Sequence, residues 1–236
     1  GAPPPTQGRP LADALDDVLR LGVPAAFNTS GPGYLAYIPG GGLFASAVAA
    51  LVACSVNRYV GVWAAAPALV QIEANVIRWL CDLVGYGPDS GGIHTSGGSL
   101  ANFSAIVAAR RNRLPEDFLR GTLYVSEEAH HSIRKAALLA GFPARSVRSL
   151  PTDDRFRLRL DALRAQLRTD RAAGLSPFLV VASAGTTNTG AVDDLAAVAA
   201  VAREERLWFH VDAAYAGPAA ICPELRDHVL ASGYQG

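Results

Sequence analysis

The chain of 236 residues contains little of several things that would define a protein class. It has no methionine and a single lysine, Lys135. Its three cysteines, Cys54, Cys81 and Cys222, are too scattered for a metal site or a disulfide framework, which suits a reducing compartment. Twenty-one basic residues balance 21 acidic ones, so no global charge attracts nucleic acid or anionic lipid. These features predict a cytoplasmic protein with no metal, nucleic-acid or membrane partner.

Long apolar runs are also missing. The most apolar segment extends from Leu43 to Cys54, is interrupted by Ser46, and is shorter than the roughly 20 residues that a membrane span requires. Because 50% of the residues are hydrophobic, the chain can still bury a sizeable core. Without a methionine, Gly1 is expected to follow a removed tag or a processed N-terminus.

The hydrophobic pattern predicts an α/β fold. An N-terminal arm rich in proline and glycine precedes helices near 11–21, 43–58 and 67–84. From there, helices near 99–113, 129–140, 160–173 and 193–205 alternate with strands near 122–126, 146–150, 178–183 and 207–211. Such alternation predicts a mostly parallel sheet covered by helices on both faces. Sheets of this kind bind ligands at the carboxyl ends of their strands.

A glycine-rich turn precedes the helix that begins near Ser99. Gly97 and Gly98 allow backbone amides to approach an anion, Ser99 offers a hydroxyl, and the helix dipole adds positive potential, so phosphate is the natural ligand. A small-residue turn capped by serine also occurs without any ligand. The glycine spacing does not match the dinucleotide-binding fingerprint.

A lone carboxylate, Asp212, ends the apolar strand near 207–211. Burying it without a partner would cost several kcal/mol. A cationic ring nitrogen is one partner that offsets this cost. Capping of a following helix and metal binding are equally open from these residues alone.

Two further segments lie at predicted strand ends. His130 and His131 follow one strand, and an imidazole there can stack on a flat ring and exchange protons. Since adjacent side chains face different directions, only one of the two is expected to serve a site, and a purely structural role is the commoner one. The segment 184–190 offers hydroxyls and amides, or is a polar turn. Together the four segments suit a phosphorylated, cationic aromatic cofactor.

The segments 94–102, 127–132, 183–195 and 210–217 resemble the group II pyridoxal-phosphate-dependent decarboxylases, which include aromatic amino-acid and glutamate decarboxylases. The resemblance implies the aspartate-aminotransferase-like fold (fold type I) and a homodimer. It also implies that residues 1–60 form an N-terminal arm with dimer-forming helices. Residues 61–236 then form the large cofactor-binding domain, without its lysine-bearing part and the small C-terminal domain.

The same resemblance implies roles for individual residues. Residues of this chain would contact the phosphate, the ring face, the ring nitrogen and the edges of pyridoxal 5'-phosphate. The residues that would bind the cofactor are Gly97, Gly98, Ser99, His130, Thr186, Asp212 and Ala214. Within this set, His130 and Asp212 are the candidate catalytic residues: His130 stacks on the ring and assists protonation, and Asp212 pairs with the ring nitrogen. A loop containing Tyr37, Ile38 and Pro39 would contact the substrate.

The implied reaction is decarboxylation of an L-amino acid to an amine and carbon dioxide. Tyr34, Tyr37 and Trp63 favour an aromatic or other apolar substrate. A carbon–carbon lyase that uses the same cofactor, and a non-catalytic subunit with the same fold, remain alternatives. A dehydrogenase is disfavoured by the glycine spacing.

The lysine that would carry the cofactor is not found where the resemblance implies it, about thirty residues after the segment 210–217. Lys135 is expected on a solvated helix face, because lysines are rarely buried unpaired. We therefore expect the chain to be the N-terminal part of a longer enzyme, associated with a lysine-bearing C-terminal segment.

Overall fold

The computed structural model describes residues 3–35 and 40–230. Backbone contacts divide the chain into two units, Gly1–Arg58 and Tyr59–Gly236. The predicted substrate-contacting residues Tyr37, Ile38 and Pro39 lie outside the described residues. Within the described part, no helix is long and apolar enough to cross a membrane.

The first unit is helical. Helix α1 (Leu11–Asp17) continues through a π-helical turn, Val18–Gly22, into the short α2 (Val23–Ala25), so this helical segment extends beyond the predicted end at residue 21. The wide turn lies directly ahead of Pro24, a residue that crowds the preceding turn of a regular helix. Helix α3 (Phe44–Val56) ends at Asn57, whose left-handed backbone (φ 40°) terminates the helix.

The second unit contains the alternating helices and strands that the sequence predicts. In chain order its elements are α4 (Pro67–Leu83), α5 (Gly98–Arg113), β1 (Gly121–Ser126), α6 (Ser132–Leu139), β2 (Val147–Leu150), α7 (Leu160–Ala172), β3 (Ser176–Ser183), α8 (Leu195–Glu204), β4 (Trp208–Asp212) and α9 (Pro223–Val229). Helix α9 was not predicted. Helix α6 begins at Ser132 rather than at residue 129, because residues 127–131 form turns in which the Glu127 amide donates to Leu150 O of β2.

The four strands in the described residues are all parallel and lie in the order β2-β1-β3-β4. Helices α5 and α6 cover one face of the sheet, and α7 and α8 cover the other. Alternate residues of β3 face opposite sides: Leu179 and Val181 pack toward α5 and α6, and Val180 and Ala182 pack toward α7 and α8. A strand that is buried on both faces has a continuously apolar sequence, as β3 does. The predicted fold class is confirmed.

A buried acid connects α7 to the sheet. Asp170 is 2% exposed and accepts hydrogen bonds from Arg148 (Nε 2.9 Å, Nη2 2.8 Å), the Tyr124 hydroxyl (2.7 Å) and Gln166 (2.9 Å). Burial acts to raise the pKa of Asp170, but these hydrogen bonds and the charge of Arg148 together hold that pKa below its usual value. Burial also raises the pKa of Tyr124, so its hydroxyl stays a donor.

We expect Asp170→Asn to lower the free energy of unfolding at pH 7 by about 3 kcal/mol, because it removes the buried charge that pairs with the partly buried guanidinium of Arg148. The pKa of Asp170 is lower in the folded than in the unfolded chain. Its ion pair therefore stabilises the fold above the unfolded pKa of about 4 and is lost as the pH falls through the folded pKa. Urea denaturation at a series of pH values should show the variant approaching the wild type in acid.

The matched control is Asp161→Asn on the same helix. Asp161 pairs with Arg159, but its side chain is 67% exposed, so solvent screens the pair and little change is expected at any pH. Equal destabilisation by the two substitutions would contradict the role given to the buried pair.

Candidate active site

A cavity of about 240 Å³ opens where the parallel strands end. Its walls come from the start of α5, the turns after β1 and β3, and the end of β4, as expected for ligand sites of parallel sheets. The lining residues are Gly98, Ser99, Asn102, His130, Ser132, Ser183, Gly185, Thr186, Thr187, Asp212, Ala214 and Tyr215. Six of the seven residues predicted to bind a cofactor are in this set, and Gly97 directly precedes Gly98.

Asp212 is the last residue of β4 and lies in register with Ser183, the last residue of β3. Its Oδ2 accepts a hydrogen bond from Asn102 Nδ2 (2.9 Å), and its Oδ1 accepts one from the Ala214 amide (3.2 Å). Both donors are neutral, and no lysine or arginine among the described residues forms an ion pair with this partly buried carboxylate. These hydrogen bonds thus stabilise the carboxylate of Asp212, but no positively charged side chain of the described residues pairs with it.

The two other roles that the sequence left open for Asp212 find no support. The next helical segment begins only at Gly217, and its N-terminus has no capping hydrogen bond to a side chain. In the described part of the chain, no three His, Cys, Asp or Glu side chains are grouped as metal ligands.

The glycine-rich turn places the N-terminus of α5 at the cavity. The helix begins at Gly98, with Gly97 as its capping residue, so Ser99 is its second residue rather than its cap. The first amides of a helix have no partner within the helix, and the helix dipole makes this end attractive to an anion. A Cβ built on Gly98 would lie 3.6 Å from Ala214 Cβ, which shows how closely the turn approaches the opposite wall.

His130 lines the cavity from the turn ahead of α6, and His131 is exposed outside it. The His130 Nδ1 lies 2.7 Å from Ser132 Oγ and 3.3 Å from the Ser132 amide nitrogen. These contacts engage one ring nitrogen and hold the imidazole against the start of α6. The exposed Lys135 lies on α6 and is not among the lining residues.

The turn after β3 forms another wall. Thr186 is buried, and its hydroxyl lies 2.6 Å from Thr189 Oγ1 and accepts a hydrogen bond from the Ala191 amide (3.2 Å). The hydroxyl of Thr186 therefore holds the turn together as well as facing the cavity.

Among the polar residues that were not predicted are Asn102 and Ser132, which line the cavity, and His210, which lies next to Asn102. The Asn102 side chain contacts the other two as well as Asp212. Sequence spacing gives only a partial indication of them. Asn102 lies three residues after Ser99, on the same side of a helix, and His210 lies two residues before Asp212, on the same face of a strand.

An anion-binding helix start, a flat imidazole and a carboxylate without a cationic partner define a site for a phosphorylated, positively charged aromatic cofactor. Residues 4–233 match the family model described as the pyridoxal-dependent decarboxylase conserved domain. The chain belongs to this family, as the sequence resemblance predicted, and its cofactor is pyridoxal 5'-phosphate. The carboxylate of Asp212, which lacks a positive partner in the protein, fits the protonated ring nitrogen of that cofactor.

Curated relatives include the aromatic-L-amino-acid decarboxylase of Bacillus atrophaeus, which is 36% identical over 190 residues. That match covers 80% of this chain and 40% of the relative. The tyrosine decarboxylase of Oryza sativa subsp. japonica is 37% identical over 240 residues, or 96% of this chain and 45% of the relative. The chain thus spans about half the length, or less, of the curated relatives it matches.

Solved structures agree with the fold. A crystal structure of Oryza sativa TDC with PLP and tryptamine has a TM-score of 0.90 and 33% identity, covering 98% of this chain and 50% of that chain. The structure of Catharanthus roseus tryptophan decarboxylase with L-tryptophan has a TM-score of 0.85 and 29% identity, covering 97% and 51%. The fold is that of the type I pyridoxal-phosphate enzymes.

We expect Gly185→Ala to destabilise the protein and to weaken cofactor binding. Gly185 has φ +90°, and an added Cβ would lie 2.8 Å from both Ala216 Cβ and Tyr215 Cδ1, so the cavity wall must shift. Thermal unfolding and pyridoxal phosphate titration would measure both effects.

Gly190→Ala is the matched control, since it has a similar backbone (φ +70°) but its nearest contact would be 3.8 Å away. This variant should lose only about 1 kcal/mol from the backbone conformation and keep its cofactor affinity. If both variants bound the cofactor as the wild type does, the close packing at Gly185 would not matter to the site.

Proposed function

We propose that this chain supplies the cofactor-binding half of a pyridoxal-phosphate-dependent L-amino-acid decarboxylase. The observation that carries the proposal is Asp212, a partly buried carboxylate that faces the cavity with two neutral hydrogen-bond donors and no cationic partner in the described chain. A protonated ring nitrogen completes such a site, and the anion-binding start of α5 lies in the same cavity.

Each wall of the cavity has a separate task in this proposal. The turn at Gly97 and Gly98 and the Ser99 amide and hydroxyl bind the phosphate. Asp212 holds the proton on the ring nitrogen, which keeps the ring positively charged. When bound, the cofactor accepts the electron pair that the departing substrate carboxylate leaves behind.

The remaining residues orient the cofactor and handle protons. Ala214 and Thr186 would contact the ring from the cavity wall. His130 would cover the ring face, and since its Nδ1 is engaged with Ser132, its Nε2 is the atom available to hold or deliver a proton.

An aromatic L-amino acid is the substrate that the similarities favour, because aromatic-L-amino-acid and tyrosine decarboxylases are among the similar proteins. We propose that Tyr37, Ile38 and Pro39 contact its side chain. We also propose that the protein is cytoplasmic and that it forms a homodimer through residues 1–60, with residues 61–236 forming the large cofactor-binding domain.

The lysine that carries the cofactor is proposed to belong to polypeptide other than these 236 residues. Lys135, the one lysine of the chain, is exposed on α6 and does not line the cavity. The half-length match to the relatives supports this proposal.

A first experiment uses the native protein, meaning this chain with any further polypeptide that accompanies it in its source cell. We expect a visible absorption band that borohydride abolishes, and release of carbon dioxide and an amine from an aromatic L-amino acid. An aldehyde without carbon dioxide would instead indicate a carbon–carbon lyase. Cofactor binding without turnover of any amino acid would indicate a non-catalytic subunit.

In the same protein, Asp212→Asn should lower kcat at least about a hundredfold, because it removes the charge that keeps the ring protonated. Cofactor affinity should fall about tenfold, because the ring nitrogen loses its charged partner, but binding should stay measurable through the intact phosphate turn. Steady-state carbon dioxide release measures the first effect and equilibrium dialysis the second.

Asp194→Asn is the control, because Asp194 only caps α8 through the Ala197 amide (3.0 Å) and does not line the cavity. Its kcat should stay near that of the wild type. Wild-type turnover by Asp212→Asn would remove the main support for the proposed site.

A further inference from the structure

We propose that Asn102 is a positioning residue that fixes the orientation of both Asp212 and His130. It does so through a chain of hydrogen bonds in which the donor and the acceptor of each bond are fixed. This inference rests on the proposed function, because it assigns those two residues to the cofactor. Asn102 lies in α5, is 3% exposed, and contacts side chains from β4 and from the start of α6.

The orientation of the Asn102 amide follows from its neighbours. The carboxylate of Asp212 can only accept, so the amide atom 2.9 Å from its Oδ2 must be the nitrogen. The amide oxygen then faces His210 Nε2 at 2.8 Å. Because that oxygen has no proton, His210 Nε2 must donate, which fixes the tautomer of His210. Burial lowers the pKa of His210, so the ring is neutral and has only this one proton to give.

The second hydrogen of the same amide nitrogen continues the chain. It is donated to Ser132 Oγ at 3.0 Å, and Ser132 is itself 2% exposed. With its oxygen accepting from Asn102, the Ser132 hydroxyl directs its own proton to His130 Nδ1 at 2.7 Å. The Ser132 amide nitrogen approaches the same atom at 3.3 Å. His130 Nδ1 is therefore an acceptor, and the neutral ring carries its proton on Nε2.

Asn102 thus donates one hydrogen directly to Asp212 and the other to Ser132, which in turn donates to His130. The carboxylate plane of Asp212 and the imidazole of His130 are oriented together. Both Asn102 and Ser132 are nearly inaccessible, so water does not easily replace their hydrogen bonds. The substitution Asn102→Leu would therefore leave three atoms without one of their partners: Asp212 Oδ2, Ser132 Oγ and His210 Nε2.

The test uses native protein labelled with ¹⁵N-histidine, whose ring nitrogen shifts report the tautomer of each imidazole. Without added substrate, His130 and His210 should both be protonated on Nε2 and not on Nδ1. In Asn102→Leu, both rings should populate the other tautomer. Pyridoxal phosphate affinity, measured by titration, should fall about tenfold or more, because Asp212 loses its main donor.

Ser132→Ala removes the hydrogen bonds that lead from Asn102 to His130 and leaves those to Asp212 and His210 in place. It also provides a second test if Asn102→Leu does not fold. The Nδ1-protonated form of His130 should become detectable, and His210 and the cofactor affinity should stay as in the wild type. Ser104→Ala is the control on the same helix. The Ser104 hydroxyl donates to Leu100 O (2.9 Å) within α5 and does not line the cavity, so this substitution should change none of these properties.

Wild-type tautomers and cofactor affinity in Asn102→Leu would overturn the inference, and so would an unchanged His130 spectrum in Ser132→Ala. The proposed function fails differently. If the tautomers and affinities behave as expected but no amino acid releases carbon dioxide, Asn102 still orients a cofactor site, and only the decarboxylase assignment is wrong.

Discussion

The parallel pairing of β3 with β4 is the constraint on which the cavity depends. Because Ser183 and Asp212 are in register, both strands end at the same level, and the chain beyond each end is tied back by main-chain bonds. The Ala184 amide donates to Asp212 O (2.9 Å), and the Ala216 amide donates to Ala184 O (3.1 Å). The floor of the cavity is thus built from backbone, which leaves the side chains free to face the ligand.

A second buried carboxylate supports this floor from below. Asp193 accepts hydrogen bonds from the amides of Ser183 and Leu158, both at 2.7 Å, and so connects the end of β3 to the segment before α7. Burial raises the pKa of Asp193, and the two amides oppose that rise without abolishing it. Because Ser183 and Asp193 bond to each other at the two ends of the loop that contains Thr186, Asp193 fastens that loop to the end of β3.

Most of the fold could be predicted from the sequence because each face of the sheet is buried by a helix with a regular apolar period. The alternation of β3 between two helical layers and the helical repeat of α7 are local patterns. The start of α6 was predicted at residue 129 instead of Ser132, because residues 127–131 form turns in which the Glu127 amide bonds to Leu150 O of β2, a contact with a distant segment that local sequence does not show. The four site segments were found because each follows a predicted strand or opens a helix. Asn102 and His210 were missed because their significance depends on a contact between residues 108 positions apart.

The amide of Asn102 has no ionisable proton at any accessible pH, unlike the histidines and carboxylate around it. A side chain of this kind transmits orientation and hydrogen-bond polarity but cannot pass a proton from one neighbour to the other. The imidazole and the carboxylate are therefore oriented by the same side chain, and a disturbance of that one amide affects both, yet no proton passes between them through it.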